Sequence, residues 1–286
     1  MENQRVVMCM KWGPAYPAAY VNVLYSAVRK HLDKPFRFVC LTNEPEGLDE
    51  GIETFPIPDL GLPQERYNHG AWPKLAVFKP DLYGLKGTCL FIDLDTVIWN
   101  NLEPFFEAKG DFLAIGLTST WICKPKPWIV DKWKEIRTSY KHAKSGQPVP
   151  TARSTMGTGI FRFELGRHGN IYDNFLRDKK GAFAVYGNEQ EFAEHQLESW
   201  NPWEPGTILS FKMHLRRPIL VDLLLPPKTP PVDVPVIAFH GNPRPIDLVH
   251  KGHSSMREAP HYWRAPVKWV RDYWLENGYP ANAPKP

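Results

Sequence analysis

No run of eighteen apolar residues occurs anywhere in the chain, and no charged stretch followed by an apolar one opens it, so neither a transmembrane anchor nor a signal peptide is expected. Cysteine is scarce. Cys9, Cys40, Cys89 and Cys123 show no C-x-x-C spacing and three of them sit inside apolar runs, which argues against a disulfide framework and predicts reduced core thiols of a cytoplasmic protein. Net charge is low as well, +4 over 286 residues, and implies neither nucleic acid nor an anionic membrane as a partner. G-x-G-x-x-G and G-x-x-x-x-G-K-[ST] are both absent, which removes dinucleotide and P-loop sites. Proline, by contrast, is plentiful: the 29 residues cluster in connections and predict long ordered loops between short elements.

The apolar pattern is that of an α/β protein. Residues 5–10 and 36–41 are apolar runs that read as buried strands, and between them Val23, Leu24, Ala27, Val28 and Leu32 keep the one-face spacing of a helix that Pro35 stops. Strand, helix, strand at this spacing is a βαβ unit. Short strands are expected over 52–57, 111–115, 157–163 and 234–239, a helix or turn over 72–78, and helices marked by Ile129, Trp133, Ile136 and Tyr140, by 171–176, and by Phe192, Ala193 and Leu197. The segment 142–155 reads as a long loop of the kind that forms lids or receives acceptors, or as an ordinary surface connection. At the end, Trp263, Trp269, Tyr273, Trp274 and Tyr279 lie among basic residues. Such a belt suits peripheral contact with a membrane, but Val270, Tyr273 and Trp274 also make a packing face, the reading favoured here. The expected organisation is one domain over 1–250, with halves of about 1–100 and 101–250, followed by a helical extension over 251–286.

Chemistry concentrates where Thr88-Cys-Leu-Phe-Ile-Asp-Leu-Asp-Thr-Val-Ile-Trp99 places two carboxylates at the end of a buried strand. Ligands of open α/β sheets collect at such ends. Asp93 and Asp95, one residue apart on a strand, point to the same side, and a bound cation relieves their repulsion. Lys74 is a candidate phosphate contact, against the bland reading of a solvated lysine beside a proline. Glu189 and Gln190 open a helix, where acidic residues are usually dipole complements. The strand 234–239 ends in His240-Gly-Asn-Pro-Arg-Pro245: an imidazole there can complete a metal site, and Arg244 can neutralise phosphate. The glycines of Gly157-Thr-Gly159 suggest a close backbone approach.

With Phe91-Ile-Asp-Leu-Asp95, Glu189-Gln190 and His240-Gly-x-x-Arg-Pro245 in that order, the chain resembles the GT-A fold nucleotide-sugar glycosyltransferases, and among them the retaining, glycogenin-like and bacterial lipopolysaccharide galactosyltransferase group, family eight. The resemblance covers the chain from its first strand to about residue 250. It implies a Rossmann-like, mostly parallel central sheet flanked by helices in a single domain. It further implies that Asp93, Asp95 and His240 hold a divalent cation, manganese before magnesium, which bridges the donor's two phosphates. Gly241 and Arg244 then match the motif's phosphate-binding glycine and lysine, and Lys74 the basic residue before the D-x-D. Glu189 and Gln190 match an acidic-Gln pair beneath the anomeric carbon. Trp12, Tyr16 and Asn43 would receive the base and ribose, usually of UDP. The implied reaction moves a hexose from a nucleotide-sugar to a glycan or glycoconjugate acceptor, with retention. Three positions depart from the pattern: Gly157 stands where the family has asparagine, Arg244 where it has lysine, and Glu189 where aspartate is commoner.

Two other readings compete. Asp-Leu-Asp-Thr-Val also fits the D-x-D-x-[TV] of haloacid-dehalogenase-like phosphatases, but no paired-aspartate or G-D-x-x-x-D motif follows Asp95, and that motif normally lies on a first strand. A non-catalytic sugar-binding protein on the same scaffold is the other, and the retention of Asp93, Asp95 and His240 weighs against it.

Overall fold

Strand β1 (Arg5–Lys11) is buried from Val6 onward, and its alternate side chains enter two different cores. Val7 and Cys9 face helix α1 (Ala18–His31), while Val6, Met8 and Met10 face the opposite layer. A strand covered on both faces has no polar side to show, which is why the run reads as continuously apolar. The computed structural model describes residues 4–68, 70–117, 154–218, 221, 225–250 and 266–283. The helix expected around Ile129 to Tyr140, and all of 142–155 but its last two residues, lie outside them.

β2 (Arg37–Thr42), β3 (Glu53–Phe55), β4 (Thr88–Ile92), β6 (Phe112–Gly116), β7 (Met156–Glu164) and β8 (Asn201–Pro202) complete a sheet ordered β3-β2-β1-β4-β7-β6-β8. β5 (Thr96–Ile98), β9 (Ile208–Ser210) and β10 (Val236–Ala238) form a second sheet ordered β5-β10-β9. The chain leaves β1 toward β2 and later returns to its other side as β4, both parallel to it. This reversal of winding opens a crevice at the carboxyl ends of β1 and β4.

β7 runs against its neighbours on both sides, so its first residues lie beside the last residues of β4. The expected mostly parallel sheet is therefore present with one reversed strand in its interior. In the small sheet, Ala238 lies opposite both Thr96 and Ser210, and the Phe239 amide donates to the Asp95 carbonyl at 3.1 Å, which carries the segment after β10 to the same crevice.

Over the second face lie a 3-10 helix (Trp72–Phe78), α4 (Gly169–Arg177), α5 (Lys179–Val185) and α6 (Glu189–Gln196), with Trp72, Phe175 and Phe192 packed together. Two short helices, α2 (Glu65–Asn68) and α3 (Glu103–Glu107), lie in connections. The last helix, α7 (Lys268–Glu276), is no appendage. Trp269, Val270, Tyr273 and Trp274 are buried in the α1-side core, Tyr20 meets Trp274 edge to face at 4.8 Å, and the Tyr273 hydroxyl accepts from the Ile98 amide. The packing reading of the C-terminal aromatics holds for these residues. No helix among the described residues is long and apolar enough to cross a membrane.

One carboxylate anchors the start of β7. Glu194 on α6 accepts from the Ser154 hydroxyl at 2.6 Å, the Thr155 amide at 2.9 Å, the Thr155 hydroxyl and the Met156 amide at 3.3 Å. Burial pulls its pKa upward, but these donors outweigh burial and hold it below the usual carboxylate range. Glu194→Gln is expected to cost about 1–2 kcal/mol in urea unfolding at pH 7, a figure reduced for solvent access. Because the folded pKa is depressed, the contribution is present above pH 4.5 and fades as pH falls through the folded value, so wild type and variant should converge at low pH. A constant difference across that range would show the clamp is not ionic.

Candidate active site

β4 delivers its chain end into the crevice and the backbone then turns. The Asp93 amide donates to the Gly159 carbonyl at 2.8 Å and the Thr96 amide to the Asp93 carbonyl at 3.1 Å, which closes a tight turn over Asp93-Leu94-Asp95. The two carboxylates are thus presented by a turn and not by strand alternation as expected. Leu94 between them is buried, and both aspartates line one cavity of about 290 Å3. Its other walls are Met10, the loop 12–16, Tyr67, Ala71 and Lys74.

Lys74 is not a solvated lysine. Only 5% exposed, its ammonium sits 2.9 Å from Asp93 Oδ1 and 3.0 Å from Oδ2, donates to the Thr158 carbonyl at 3.1 Å, and lies 3.5 Å from Glu189 Oε1. The Thr158 hydroxyl in turn donates to Glu189 Oε1 at 2.8 Å. Burial alone would lower the Lys74 pKa, yet Asp93 and then Glu189 outweigh it and raise it, so the group stays charged. Glu189, 5% exposed, belongs to this buried network; dipole complementation, the default for its position, is not its main role. Gln190 follows it, half-buried in the same helical turn.

The two aspartates differ. Burial raises the Asp93 carboxyl, Lys74 opposes the rise, and Glu189 adds to it. Asp95 has less help: burial first, then the charge of Asp93, pushes it up to about 7, with Lys74 and the Tyr16 hydroxyl, 3.4 Å from Oδ2, resisting. Two neighbouring carboxylates, one compensated by lysine and one not, form an anionic pocket with a charge to spare.

Tyr16 links Asp95 to Arg244, whose guanidinium donates to the Ala15 carbonyl and lies 5.9 Å from the Tyr16 ring centre. Trp12 is fixed by its indole N–H on the Tyr67 carbonyl at 2.8 Å. Asp93, Asp95, Lys74, Trp12 and Tyr16 therefore meet at one cavity, with Arg244 behind its aromatic loop. His240 and Gly241 follow β10 as exposed residues; His240 Nε2 shares a hydrogen bond with the Ser210 hydroxyl at 2.7 Å, and Lys212 holds the His240 carbonyl. Among the described residues no three His, Cys, Asp or Glu side chains are grouped to hold a metal, so Asp93, Asp95 and His240 do not stand as a preassembled set. The parallel pairing of β9 with β10 places Ser210 within reach of His240, and its hydroxyl takes the ring. Asn43 does not line the cavity. Its side-chain oxygen accepts from the Ile57 amide at 2.9 Å, tying two loops together.

Tyr67 and Ser210 are site-region residues that no motif flagged, and Thr158 entered the sequence reading only as the middle residue of Gly157-Thr-Gly159, with no role of its own. The one available signal was a hydroxyl residue between two glycines on an apolar strand. Of those glycines, Gly157 meets the expectation of close approach, since a Cβ there would lie 3.1 Å from Leu117 Cδ2 and 3.3 Å from Ile115 Cβ. Gly159 does not, its nearest contacts being ordinary at 3.5 and 3.7 Å.

No protein-family model matches the sequence, and no curated protein matches it. Solved structures do. The glycosyltransferase GlyE of Streptococcus pneumoniae TIGR4 superposes with a TM-score of 0.53 at 10% identity, over 96% of this chain and 61% of GlyE. The galactosyltransferase LgtC, solved with donor and acceptor sugar analogues, superposes with a TM-score of 0.52 at 14% identity, over 96% of each chain. The bifunctional glycosyltransferase WbbM gives a TM-score of 0.53 at 11% identity, over 97% of this chain and 50% of WbbM. The chain thus spans about three fifths of GlyE and half of WbbM, but nearly all of LgtC. The shared feature is the fold, and it is the GT-A arrangement.

Proposed function

We propose that this chain is a glycosyltransferase that moves a hexose from a nucleotide-sugar, UDP-linked, to a glycan or glycoconjugate acceptor with retention of configuration. The observation that carries the reading is the pair Asp93 and Asp95 at the switch-point crevice, both facing one aromatic-walled cavity, with Lys74 paired to Asp93. That LgtC, alike in fold over nearly its whole length, was solved with donor and acceptor sugar analogues supports sugars on both sides of the reaction. Nothing in the topology favours the phosphatase.

A divalent cation, manganese before magnesium, fits the two carboxylates, because a charge at Asp95 is what their proximity disfavours. Asp93 and Asp95 would hold it, with His240 as third ligand on giving up Ser210. When bound it would supply neutralising charge to the donor's diphosphate. The chain's own residues do the rest. Arg244, braced on loop 12–16, would offset charge developing on the leaving group, and Gly241 leaves its loop without a side chain near Lys212. Lys74 is spent on Asp93 and Glu189, so its part is to orient Asp93 and not to meet phosphate. Trp12 and Tyr16 would face the base and ribose. Glu189 is committed to Thr158 and Lys74, which leaves the Gln190 amide to face the oxocarbenium-like sugar.

A thermal-shift panel tests this. A nucleotide diphosphate at a hundred times its Kd stabilises by about 2.7 kcal/mol, so UDP with manganese should raise the Tm by several degrees, and UDP without metal by less. No shift with any nucleotide or nucleotide-sugar, with or without manganese, would overturn the reading.

A further inference from the structure

Two carboxylates, the half-buried Asp93 and the buried Glu189, compete for one buried ammonium, and β7 supplies what settles the competition. Lys74 has three N–H bonds to give. Its contacts with Asp93 are the shortest, at 2.9 and 3.0 Å, and one proton goes to the Thr158 carbonyl at 3.1 Å. Glu189 Oε1 is left at 3.5 Å from the nitrogen, yet it is buried and must find a donor. It finds one in the Thr158 hydroxyl, at 2.8 Å. That hydroxyl, 3% exposed with its residue, also lies 3.5 Å from the ammonium. The next residue, Gly159, accepts the Asp93 amide at 2.8 Å. Consecutive residues of β7 thus hold Asp93 twice, at its backbone directly and at its carboxylate through Lys74.

We propose that Thr158 is a positioning residue of the transfer reaction: by giving Glu189 a neutral hydrogen-bond donor it leaves the Lys74 ammonium on Asp93 and so fixes the carboxylate that faces the cavity. Without the hydroxyl, Glu189 draws the ammonium toward itself and Asp93 loses its fixed direction. This rests on the proposed glycosyl transfer, and it assigns a role to a side chain that neither the D-x-D nor the His240 motif includes. Threonine suits the task because its β-branched side chain is held to few rotamers in a buried strand while its hydroxyl meets Glu189.

The test is donor hydrolysis and transfer, with UDP-sugars and manganese, by wild type, Thr158→Val, Thr158→Ser, Glu189→Gln and the Thr158→Val/Glu189→Gln double variant, each below its own Tm. Thr158→Val keeps the shape and removes the donor. It should lower kcat about tenfold or more while donor KM moves by less than about threefold, because small misorientation at a reacting centre is costly in rate. Thr158→Ser should restore kcat to within about twofold of wild type. In the Glu189→Gln background, where the rival charge is gone, adding Thr158→Val should change kcat by less than about twofold. Should Thr158→Val not fold, Thr158→Ala removes the same donor without new bulk and carries the same expectations. Wild-type kcat in the valine or alanine variant, serine no better than valine, or an undiminished valine effect beside Glu189→Gln would each overturn the inference. A wild-type protein that turns over no nucleotide-sugar would overturn the functional reading and this role with it.

Discussion

Lys74→Met is expected to lower stability by about 3–5 kcal/mol and donor turnover by about 10^2-fold or more. Methionine keeps the length and most of the volume of lysine, so packing against the Phe91 ring, whose centre lies 5.4 Å from the ammonium, is largely retained. What disappears is the single positive charge shared by Asp93 and Glu189. Glu189 then remains buried with the Thr158 hydroxyl as its donor, beside the half-buried Asp93 and with no counter-charge between them. The folded protein can recover only by protonating one of them, so the deficit in urea unfolding should be largest above pH 7 and shrink toward pH 4–5. Lys74→Arg is not a gentle substitution, because a planar fork cannot occupy the space of a point charge. Wild-type stability in Lys74→Met would show that the ammonium is not the centre of this cluster.

Asp95→Asn should abolish metal-dependent turnover while leaving the apo fold as stable as wild type at pH 8, or more so. The Asp95 carboxyl is raised from 3.8 to about 7 in the folded state. A group raised in this way contributes stability that is fully present below its unfolded pKa and is lost as pH rises through the folded one. Wild-type apo protein should therefore lose about 1–2 kcal/mol between pH 5 and pH 8 through this group, after allowance for solvent screening and for its coupling to Asp93. The amide cannot ionise, so the variant's profile over that window should be flatter. Manganese should return the lost stability to wild type at pH 8 and do nothing for the variant. Calorimetric Tm values across pH, with and without manganese, read all of this. Equal stabilisation of both proteins by manganese would place the cation elsewhere.

The sequence was most informative where one physical rule governs a long stretch. β1, α1, β2 and β4 are legible because burial on both strand faces, or on one helix face, leaves a period in the residues themselves. β5 and β9 have three residues each, too few for a period, and exist because each pairs with β10, which falls inside the apolar run 234–239 expected as a strand. The direction of β7 left no local trace, since a strand's residues do not record which way its neighbours run. The same division holds at the crevice. Asp93, Asp95, Trp12 and Tyr16 follow the ends of legible strands and line one cavity. Asn43 has the same kind of address, yet its side chain satisfies a loop amide, as asparagines outside regular structure often do. Glu189 looked like an ordinary first-turn acid, and only the fold shows that this turn is buried against Lys74.

The reversal of β7 also sets the moment at which the crevice can be completed. β1 to β4 are contiguous in the chain and can pair as soon as they are made, but Thr158 follows Ile92 by about 65 residues, several seconds of synthesis at about 5–20 residues per second. Until then the outer edge of β4, through Leu90, Phe91 and Ile92, carries unpaired backbone donors and acceptors on an apolar strand, the kind of edge that recruits another chain. A nascent chain halted before residue 156 would present that edge without its partner. The strand that aligns Asp93 in the finished protein is thus also the one whose arrival ends the exposure of that edge.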